Sequence, residues 1–389
     1  MRILNVTSSL DPIRGGGMME RTVQMSRALA DQGHSCTILT VDIGLTRDRR
    51  ESIPNVRIVA LPCLSERFYL PRFSFSAISA MVRDAEIIHL MGNWTFLNAV
   101  IYISARRHHK NYVVCPAGTL PIFGRSKVFK RIYHAVVGKA ILRHSQRCIA
   151  ITADEAADLK KAGAIADSIS VIPNGIRLEE YAAKDDIGFR RAHHIPNVPF
   201  ILYCGRLNPI KGPDLLLRAF CALKGRLSHH LVMAGPDEGM LTGLRDMVRR
   251  EGLDERVHFV GYLGGTEKSQ AFHAADLLAI PSRSEAMSIV VLEAGAAGTP
   301  VLATNRLGFD ELSSVGGGVV VPATDDGLRR GLSEMLLESA DLRLMGSRLR
   351  DYVERKFTWD KMALKYSDLY AEIVGGMAPT VTPPATDGK

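Results

Sequence analysis

Short apolar runs rich in β-branched residues alternate with helix-like segments along almost the whole chain of 389 residues. The first run is RILNVTS, which is followed by the helical pattern MERTVQMSRALADQG and then by the run SCTILTV. This alternation is typical of a parallel sheet that is covered by helices on both faces. It therefore predicts a doubly wound α/β fold.

The pattern starts twice, which indicates two domains. It restarts at PFILYCGRL after RAHHIPNVP, a stretch with two prolines and weak periodicity. The length also exceeds the roughly 250 to 300 residues at which a single hydrophobic core stops growing. We expect two doubly wound, Rossmann-like domains, residues 1–180 and 196–358, with a hinge between 178 and 198. A ligand is expected in the crevice at the carboxyl ends of the strands.

The end of the chain divides into two parts. Apolar residues recur at helical spacing in TWDKMALKYSDLYAEIV, which predicts an amphipathic helix over residues 359–374. We expect this helix to pack back on the first domain. Residues 375–389 are rich in Gly, Pro and Thr and contain few hydrophobic residues, so we expect a disordered tail.

The net charge of +8 is unevenly distributed. Residues 1–180 contain 24 Lys and Arg against 15 Asp and Glu, whereas the remaining residues contain 25 against 26. A basic first half favours a partner that carries negative charge, such as nucleic acid, an anionic membrane or a phosphorylated substrate. Nucleic acid is not expected, because no RNA-binding or DNA-binding motif is recognisable and aromatic residues make up only 6% of the chain.

The sequence indicates a cytoplasmic protein. Its first residues lack the long apolar stretch and the cleavage site of a signal peptide, and no window of about 18 residues is free of charged or strongly polar side chains. The six cysteines show no Cys-x-x-Cys spacing, so we expect reduced thiols that pack in the core.

Two loops that follow predicted strands carry anion-binding features. Gly15, Gly16 and Gly17 lie between the first strand and a helix, where glycines allow close backbone approach and the helix start offers free N–H groups. An ordinary flexible loop would have the same composition. In GRLNPIKG, Arg206 as a planar fork and Lys211 as a point charge can converge on a diphosphate. The alternative is two solvated surface cations.

Two acids flank an apolar run in SRSEAMSIVVLEAGAAGTPVLATN. Ser288 or a neighbour is expected to start a helix that ends at Gly298, which places Glu285 in the preceding loop and Glu293 inside the helix. Either acid alone could be structural: Glu285 could cap the helix, and Glu293 could be a single polar residue on an otherwise buried helix. However, an apolar helix has little reason to retain an unpaired carboxylate, so both acids are candidates for one ligand site.

These motifs together resemble the retaining, nucleotide-sugar-dependent glycosyltransferases of the GT-B fold, in particular glycosyltransferase family 4. Glu285 and Glu293 are separated by seven residues, as in the E-x7-E motif of that family. The segments VIPNGI, GRLNPIKG, VHFVGYLGGTEKSQAFHAADLLAIPS and LGFDEL occur along the chain in the family's usual order. The resemblance extends from residue 1 to about residue 374.

The resemblance implies specific roles for the candidate residues. Arg206, Lys211 and Glu285 would be the catalytic residues, the two cations at the donor diphosphate and Glu285 at the donor sugar. Glu293 would bind the ribose of the nucleotide. The resemblance implies no metal and no cofactor, because the nucleotide-sugar is a substrate. Further donor-binding groups would be Gly205 and the backbone N–H groups of Met287, Ser288 and Ile289, with Gly16 and Gly17 closing over the diphosphate and the acceptor.

The first domain is expected to bind the acceptor. His89 follows an apolar strand and is a candidate for the acceptor region, although a strand-end histidine is often structural. Ala117 stands where many relatives have a histidine, which leaves the donor preference open. Aromatic and basic residues are mixed in 64–76 and 123–147, a composition that can lie on an anionic membrane or can form a solvated basic face above a normal core.

The expected function is therefore transfer of a sugar to a lipid-linked or polysaccharide acceptor in the synthesis of cell-surface glycans such as lipopolysaccharide. The protein would be cytoplasmic and peripheral at the inner face of the membrane. A nucleotide-sugar 2-epimerase on the same fold is the alternative enzyme. A sugar-binding protein without activity is disfavoured, because Arg206, Lys211, Glu285 and Glu293 are all present.

Overall fold

The computed structural model of this protein describes residues 1–121, 127–338 and 340–376. These residues form one sheet of seven strands, one sheet of six strands and a small two-stranded sheet. The predicted architecture of two doubly wound α/β lobes is confirmed. The predicted disordered tail lies outside the described residues from residue 377 onward, as do residues 123–126 of the predicted basic stretch.

The strands of the first lobe are β1 Arg2–Ser9, β2 Ser35–Val41, β3 Val56–Leu61, β4 Cys63–Ser65, β5 Leu70–Pro71, β6 Ile87–Met91, β7 Tyr112–Cys115, β8 Arg147–Ala150 and β9 Ile169–Val171. The large sheet has the order β3-β2-β1-β6-β7-β8-β9 with parallel pairing. The antiparallel hairpin β4-β5 lies apart from it. The strand order reverses between β1 and β6, so a crevice opens at their carboxyl ends.

The strands of the second lobe are β10 Phe200–Cys204, β11 His230–Ala234, β12 Val257–Gly261, β13 Leu277–Ile280, β14 Val301–Thr304 and β15 Gly318–Val321. They form a parallel sheet of order β12-β11-β10-β13-β14-β15. Here the order reverses between β10 and β13. Every residue of β13 is buried, as expected for a strand that is covered by helices on both faces.

The helices of the first half are α1 Gly16–Asp31, α2 Arg47–Glu51, α3 Phe75–Asp84, α4 Phe96–Arg107, α5 Lys127–Tyr133, α6 Lys139–His144 and α7 Ala153–Lys161. Those of the second half are α8 Asp186–Ala192, α9 Pro213–Ala222, α10 Leu241–Glu251, α11 Gly265–Ala274, α12 Ile289–Ala297, α13 Glu311–Ser314, α14 Asp325–Leu337, α15 Leu342–Lys356 and α16 Trp359–Gly375. Thr152 and Thr324 cap α7 and α14 through their hydroxyl groups, which satisfy N–H groups at the helix starts. None of the described helices is long and apolar enough to span a bilayer.

The last helix connects the two lobes. α16 packs along α1, and its Tyr366 and Tyr370 are buried there against Arg21 and His89. The two chain segments that pass between the lobes also pair with each other, because the Ile176 N–H donates to Phe357 O at 2.7 Å. The lobes therefore share a continuous apolar core at this side of the molecule.

The predicted hinge segment contains regular structure. Helix α8 lies within it and buries Phe189, and His193 Nε2 forms a hydrogen bond of 2.8 Å with Glu267 Oε1 of α11. This segment therefore packs on the second lobe. All six cysteines are free thiols, of which Cys36, Cys115 and Cys148 are buried and the other three are half-buried. Burial raises the pKa of the Cys115 thiol to about 11, which keeps it protonated at neutral pH.

Candidate functional site

Two loops of the second lobe meet at the carboxyl ends of β10 and β13. Residues 205–212 follow β10, and residues 281–288 follow β13. Gly212 has φ +67°, and a Cβ atom there would lie 2.2 Å from the carbonyl oxygen of Pro281. Only glycine permits this backbone conformation together with so close an approach. The two predicted motifs are thus held against each other by their backbones.

Lys211 and Glu285 form an ion pair between these loops. Lys211 Nζ lies 2.5 Å from Glu285 Oε1, and the Ser282 hydroxyl donates to the same carboxylate oxygen at 2.9 Å. The Glu285 side chain is only 10% exposed, and that of Lys211 is 22% exposed. The pair therefore lies where water screens it little, and each charge stabilises the other.

Arg206 forms an ion pair with Glu238, a residue that the sequence analysis did not single out. Its Nη1 donates to Glu238 Oε1 at 2.9 Å, and Asn208 Nδ2 donates to Glu238 Oε2 at 2.6 Å. Glu238 follows β11 in the loop GPDEGM. The Arg206 guanidinium and the Glu285 carboxylate are both within electrostatic reach of the buried Tyr203 hydroxyl, so the two groups line the same end of the sheet. Arg206 is held there by Glu238 rather than by Glu285 or Glu293.

Glu293 is buried inside α12 and is paired with a lysine. The residue is 3% exposed, and its Oε1 lies 2.5 Å from Nζ of Lys268 in α11. Burial acts to lower the pKa of Lys268, but the charge of Glu293 and the hydrogen bond to it outweigh burial and raise that pKa. The carboxylate in the apolar helix is therefore neutralised by a cation that the sequence did not single out.

The start of α12 is as predicted. The helix begins at Ile289 after Ser288, and it ends before Gly298, whose φ is +77°. The Ser288 hydroxyl oxygen is buried and has no hydrogen-bond partner among the described residues, and its backbone N–H donates to Leu307 O at 3.3 Å. The N–H of Ser288 is thus engaged within the protein in this structure. The other N–H groups of the first turn have no partner within the helix and carry its positive dipole end.

The first lobe lies opposite this helix start. A Cβ atom on Gly17 would lie 3.3 Å from Ile289 Cδ1, whereas the space beside Gly16 is open to at least 4 Å. After β7, a Cβ atom on Gly118 would lie 2.7 Å from the Cβ of Ala286, next to Ala117 with its φ of +49°. The predicted glycine loop and the segment that carries Ala117 both face residues 286–289.

His89 is not part of this cleft, which corrects the expectation that it serves the acceptor. The residue is 0% exposed, its Nδ1 forms a hydrogen bond of 2.7 Å with the Tyr370 hydroxyl, and its ring packs on Tyr366. Burial, together with the nearby charge of Arg21, lowers the pKa of His89 to about 3, so the ring is neutral at physiological pH. It is a structural histidine that attaches α16 to the first sheet.

Three charged residues at the cleft were missed by sequence reasoning. Lys268 and Glu238 are described above, and Glu20 of α1 lies within electrostatic reach of Lys268 and the Tyr181 hydroxyl. Lys268 belongs to the segment GGTEKSQAF, which follows a strand, and this position was a usable signal. Glu238, in the loop after β11, has the same signal, whereas Glu20 has none. Across residues 1–121, 127–338 and 340–376, no cluster of three or more His, Cys, Asp or Glu side chains could hold a metal ion.

Two family models match the two lobes separately. Residues 15–180 match the model described as Glycosyltransferase Family 4, and residues 186–351 match the model described as Glycosyl transferases group 1. Together they include all the candidate residues and every strand of the two large sheets except β1.

Similar proteins carry related descriptions. A D-inositol 3-phosphate glycosyltransferase of Nocardia farcinica is 36% identical over 176 residues, which are 43% of this chain and 39% of that protein. D-inositol 3-phosphate glycosyltransferase 2 of Catenulispora acidiphila is 26% identical over 92% of this chain and 90% of its own length. The first few relatives are matched over only about two fifths to three fifths of their own lengths.

The fold is also similar to solved structures. The crystal structure of Anabaena Alr3699/HepE in complex with UDP and glucose has a TM-score of 0.81 to this chain and covers 96% of it and 100% of the Anabaena chain. The two sequences are only 19% identical, so this similarity concerns the fold.

Proposed function

This chain belongs to the group 1 glycosyltransferases of the GT-B fold, and from that premise we propose that it transfers a sugar from a nucleotide-sugar, with retention, to a lipid-linked or polysaccharide acceptor. The observation that carries the proposal is the Lys211–Glu285 ion pair at the start of α12, with Arg206 and Glu293 at the same end of the sheet. This arrangement provides positive charge for a diphosphate and carboxylates for hydroxyl groups.

The cations would act on the leaving group. In the proposed reaction the bond between the anomeric carbon and the diphosphate oxygen breaks, and negative charge develops on that oxygen. Lys211, Arg206 and the N-terminal turn of α12 stabilise this charge by fixed electrostatics, which requires no metal ion. UDP is present in the Anabaena structure, and it supports a nucleoside diphosphate as the leaving group.

The acceptor would attack from the face that the leaving group vacates. The acceptor oxygen forms the new bond to the anomeric carbon, and its proton passes to the departing diphosphate oxygen, so the configuration is retained. Glu285 is proposed to bind the donor-sugar hydroxyls. Its Oε1 is held by Lys211 and Ser282, which leaves Oε2 for the ligand. Ala117 precedes Gly118, which faces Ala286, and it stands where many relatives have a histidine, so the sugar preference is a matter for experiment.

Glu293 is proposed to accept hydrogen bonds from the ribose of the nucleotide. We expect Glu293→Gln to weaken UDP binding by roughly tenfold or more, because a hydrogen bond to a charged acceptor contributes about 1.5 to 3 kcal/mol. Isothermal titration calorimetry measures this directly. Glu334→Gln, at an exposed acid in α14, is the matched control and should bind as the unsubstituted protein does. Equal affinity of the two variants would refute the assignment.

The acceptor side is proposed to lie at an anionic membrane. Phe68, Phe75, Phe96 and Phe129, which we call the aromatic patch, are 44 to 72% exposed on the first lobe. The rings of Phe68 and Phe129 are 6.3 Å apart, which brings both predicted basic segments together. Exposed arginines at positions 67, 72 and 131 accompany these rings. Aromatic side chains with adjacent arginines suit the interface of an anionic bilayer.

We expect the double variant Phe68→Ser/Phe129→Ser to bind phosphatidylglycerol vesicles roughly 100-fold more weakly or worse than the unsubstituted protein, as measured by flotation. Each buried phenylalanine contributes on the order of 2 kcal/mol to insertion, and the arginines make binding sensitive to salt. Ile187→Ser changes an apolar residue on α8 that is even more exposed than the two phenylalanines, and it serves as the control. If the patch variant floats as well as the control, the aromatic patch is not the membrane surface.

The decisive test of the function is acceptor dependence. UDP-hexoses and GDP-hexoses are incubated with the protein, with and without a polyprenyl-pyrophosphate-linked saccharide, and the products are analysed by mass spectrometry. We expect nucleoside diphosphate release and a heavier acceptor only when both substrates are present. The relatives are described as glycosyltransferases, which does not favour the epimerase alternative. Conversion of the nucleotide-sugar to an isomer without acceptor would nevertheless establish the epimerase and contradict our proposal.

A further inference from the structure

The ion pair between Lys268 and Glu293 connects two helices that pack side by side. Lys268 lies in the first turns of α11, and its ammonium group reaches α12, where it meets Oε1 of Glu293 at 2.5 Å. The side chain of Lys268 is 23% exposed and that of Glu293 is 4% exposed. A carboxylate so deeply buried is costly unless a cation compensates it. Lys268 supplies that compensation from the wall of the cleft.

The second oxygen of Glu293 is free. Oε2 is buried and has no hydrogen-bond partner among the described residues. The Tyr181 hydroxyl is close to the same carboxylate. Burial, then the charge of Glu293 and a hydrogen-bonding interaction with it, raise the pKa of Tyr181, yet no described group meets full hydrogen-bond geometry at Oε2. Native proteins rarely leave a buried charged acceptor unsatisfied, because the desolvated atom costs about 1 to 3 kcal/mol or more. Such an atom beside a cleft indicates that a ligand supplies the missing donor.

We propose that Lys268 is a positioning residue for nucleotide recognition: it holds Oε1 of Glu293, fixes the carboxylate in one orientation and so presents Oε2 to the ribose hydroxyls. This inference rests on the proposed function, in which Glu293 binds the ribose. It adds Lys268, which lies on α11 and acts only through Glu293, to the residues proposed for nucleotide recognition. Lys268 does not contact the nucleotide in this proposal.

A hydrophobic replacement separates the two possible roles of Lys268. In Lys268→Met the carboxylate of Glu293 loses its cation and either takes up a proton or turns away, so the contribution of the ribose hydroxyls to binding is lost. A lysine that only stabilised the packing of α11 on α12 would weaken every nucleotide equally. The discriminating quantity is therefore the ratio of affinities for UDP and for 2′,3′-dideoxy-UDP, which lacks the ribose hydroxyls.

The experiment measures both ligands by calorimetry on the full chain, with GDP and 2′,3′-dideoxy-GDP used instead if GDP stabilises the protein more than UDP does. We expect the unsubstituted protein to prefer UDP over the dideoxy compound by roughly 10- to 100-fold, the equivalent of one or two hydrogen bonds to a charged acceptor. In Lys268→Met this preference should fall to about twofold or less, with affinity for the dideoxy compound almost unchanged. Lys268→Arg should retain most of the preference.

Two controls keep the outcome interpretable. Lys224→Met removes an exposed lysine that pairs with Glu251 at 2.9 Å and should change nothing. The double variant Lys268→Met/Glu293→Gln has no buried charge, so it should fold even if Lys268→Met does not, and it too should lack the ribose preference. A Lys268→Met protein, or this double variant, that retains the full preference overturns the proposal. If the unsubstituted protein shows no ribose preference, the assignment of Glu293 to the ribose fails, whereas sugar transfer itself is tested separately by acceptor dependence.

Discussion

Replacing Lys211 with alanine should lower the turnover number by about 100- to 1000-fold, the cost typical of removing one preorganised group that stabilises transition-state charge. Lys211 is the cation nearest to Glu285, and its ammonium group is held by the neighbouring carboxylate at 2.5 Å. In the proposed reaction this charge compensates the departing diphosphate. The loss should appear in turnover more than in donor affinity, because the charge develops only as the bond breaks.

The measurement is the rate of nucleoside diphosphate release at saturating donor and acceptor. Lys211→Arg keeps the positive charge but replaces the compact ammonium group with a planar guanidinium group. Its rate should therefore lie between those of the unsubstituted protein and Lys211→Ala. Lys224→Ala, in the exposed turn after α9, is the matched control and should be fully active. Turnover in Lys211→Ala within a few-fold of the control would exclude Lys211 from leaving-group stabilisation.

Arg21→Met should destabilise the protein by about 3 kcal/mol or more, although our proposal gives Arg21 no role in the reaction. Its guanidinium is 1% exposed and donates to Asn174 Oδ1 at 2.7 Å, to Ile172 O at 2.8 Å and to the Tyr366 hydroxyl at 2.5 Å. Methionine fills a similar volume but leaves these buried groups without a donor, at about 1 to 3 kcal/mol for each. The lost contacts join α1 to the segment between the lobes and to α16.

Urea unfolding followed by tryptophan fluorescence is a suitable measurement, because the Trp359 ring lies 5.9 Å from the Arg21 guanidinium. Arg27→Met is the control on the same helix. Arg27 pairs with Glu180 at 2.7 Å at a partly exposed site, where such a pair contributes about 1 kcal/mol or less. If both variants unfold at the same urea concentration, the Arg21 cluster does not hold the lobes together as we infer.

The periodicity of the sequence was sufficient to predict the fold. Alternating apolar runs and helical segments predicted two doubly wound lobes. The spacing of apolar residues along a strand or a helix is a local property, so it can be recognised without knowledge of the tertiary structure. The start and end of α12 were also predictable, since Gly298 in the left-handed region ends the helix. The hinge was less predictable. Helix α8 has only seven residues, too few to show a clear period, and it is stabilised by packing on α11.

The sequence motifs predicted which residues form the site, but they did not predict which side chain each of these residues pairs with. Lys211 and Glu285 are separated by 73 intervening residues, and their pairing follows from the reversal of strand order between β10 and β13. Arg206 has the same local signal, yet its carboxylate partner is Glu238. His89 had the sequence features of a ligand residue at a strand end, and only the return of α16 shows that Tyr370 takes its Nδ1.

The sequence by itself determined the two lobes, the glycine-rich turns and the chemical types of the site residues, because these depend on side-chain size, periodicity and backbone freedom within a few residues. The tertiary structure alone decided which charges pair. Lys268 and Glu293 lie on separate helices, and their pairing depends on how the sheet places α11 beside α12. The attraction between two charges weakens steeply with the distance between them and with their exposure to water. Because packing determines both quantities, the choice of partner cannot be read from the sequence alone.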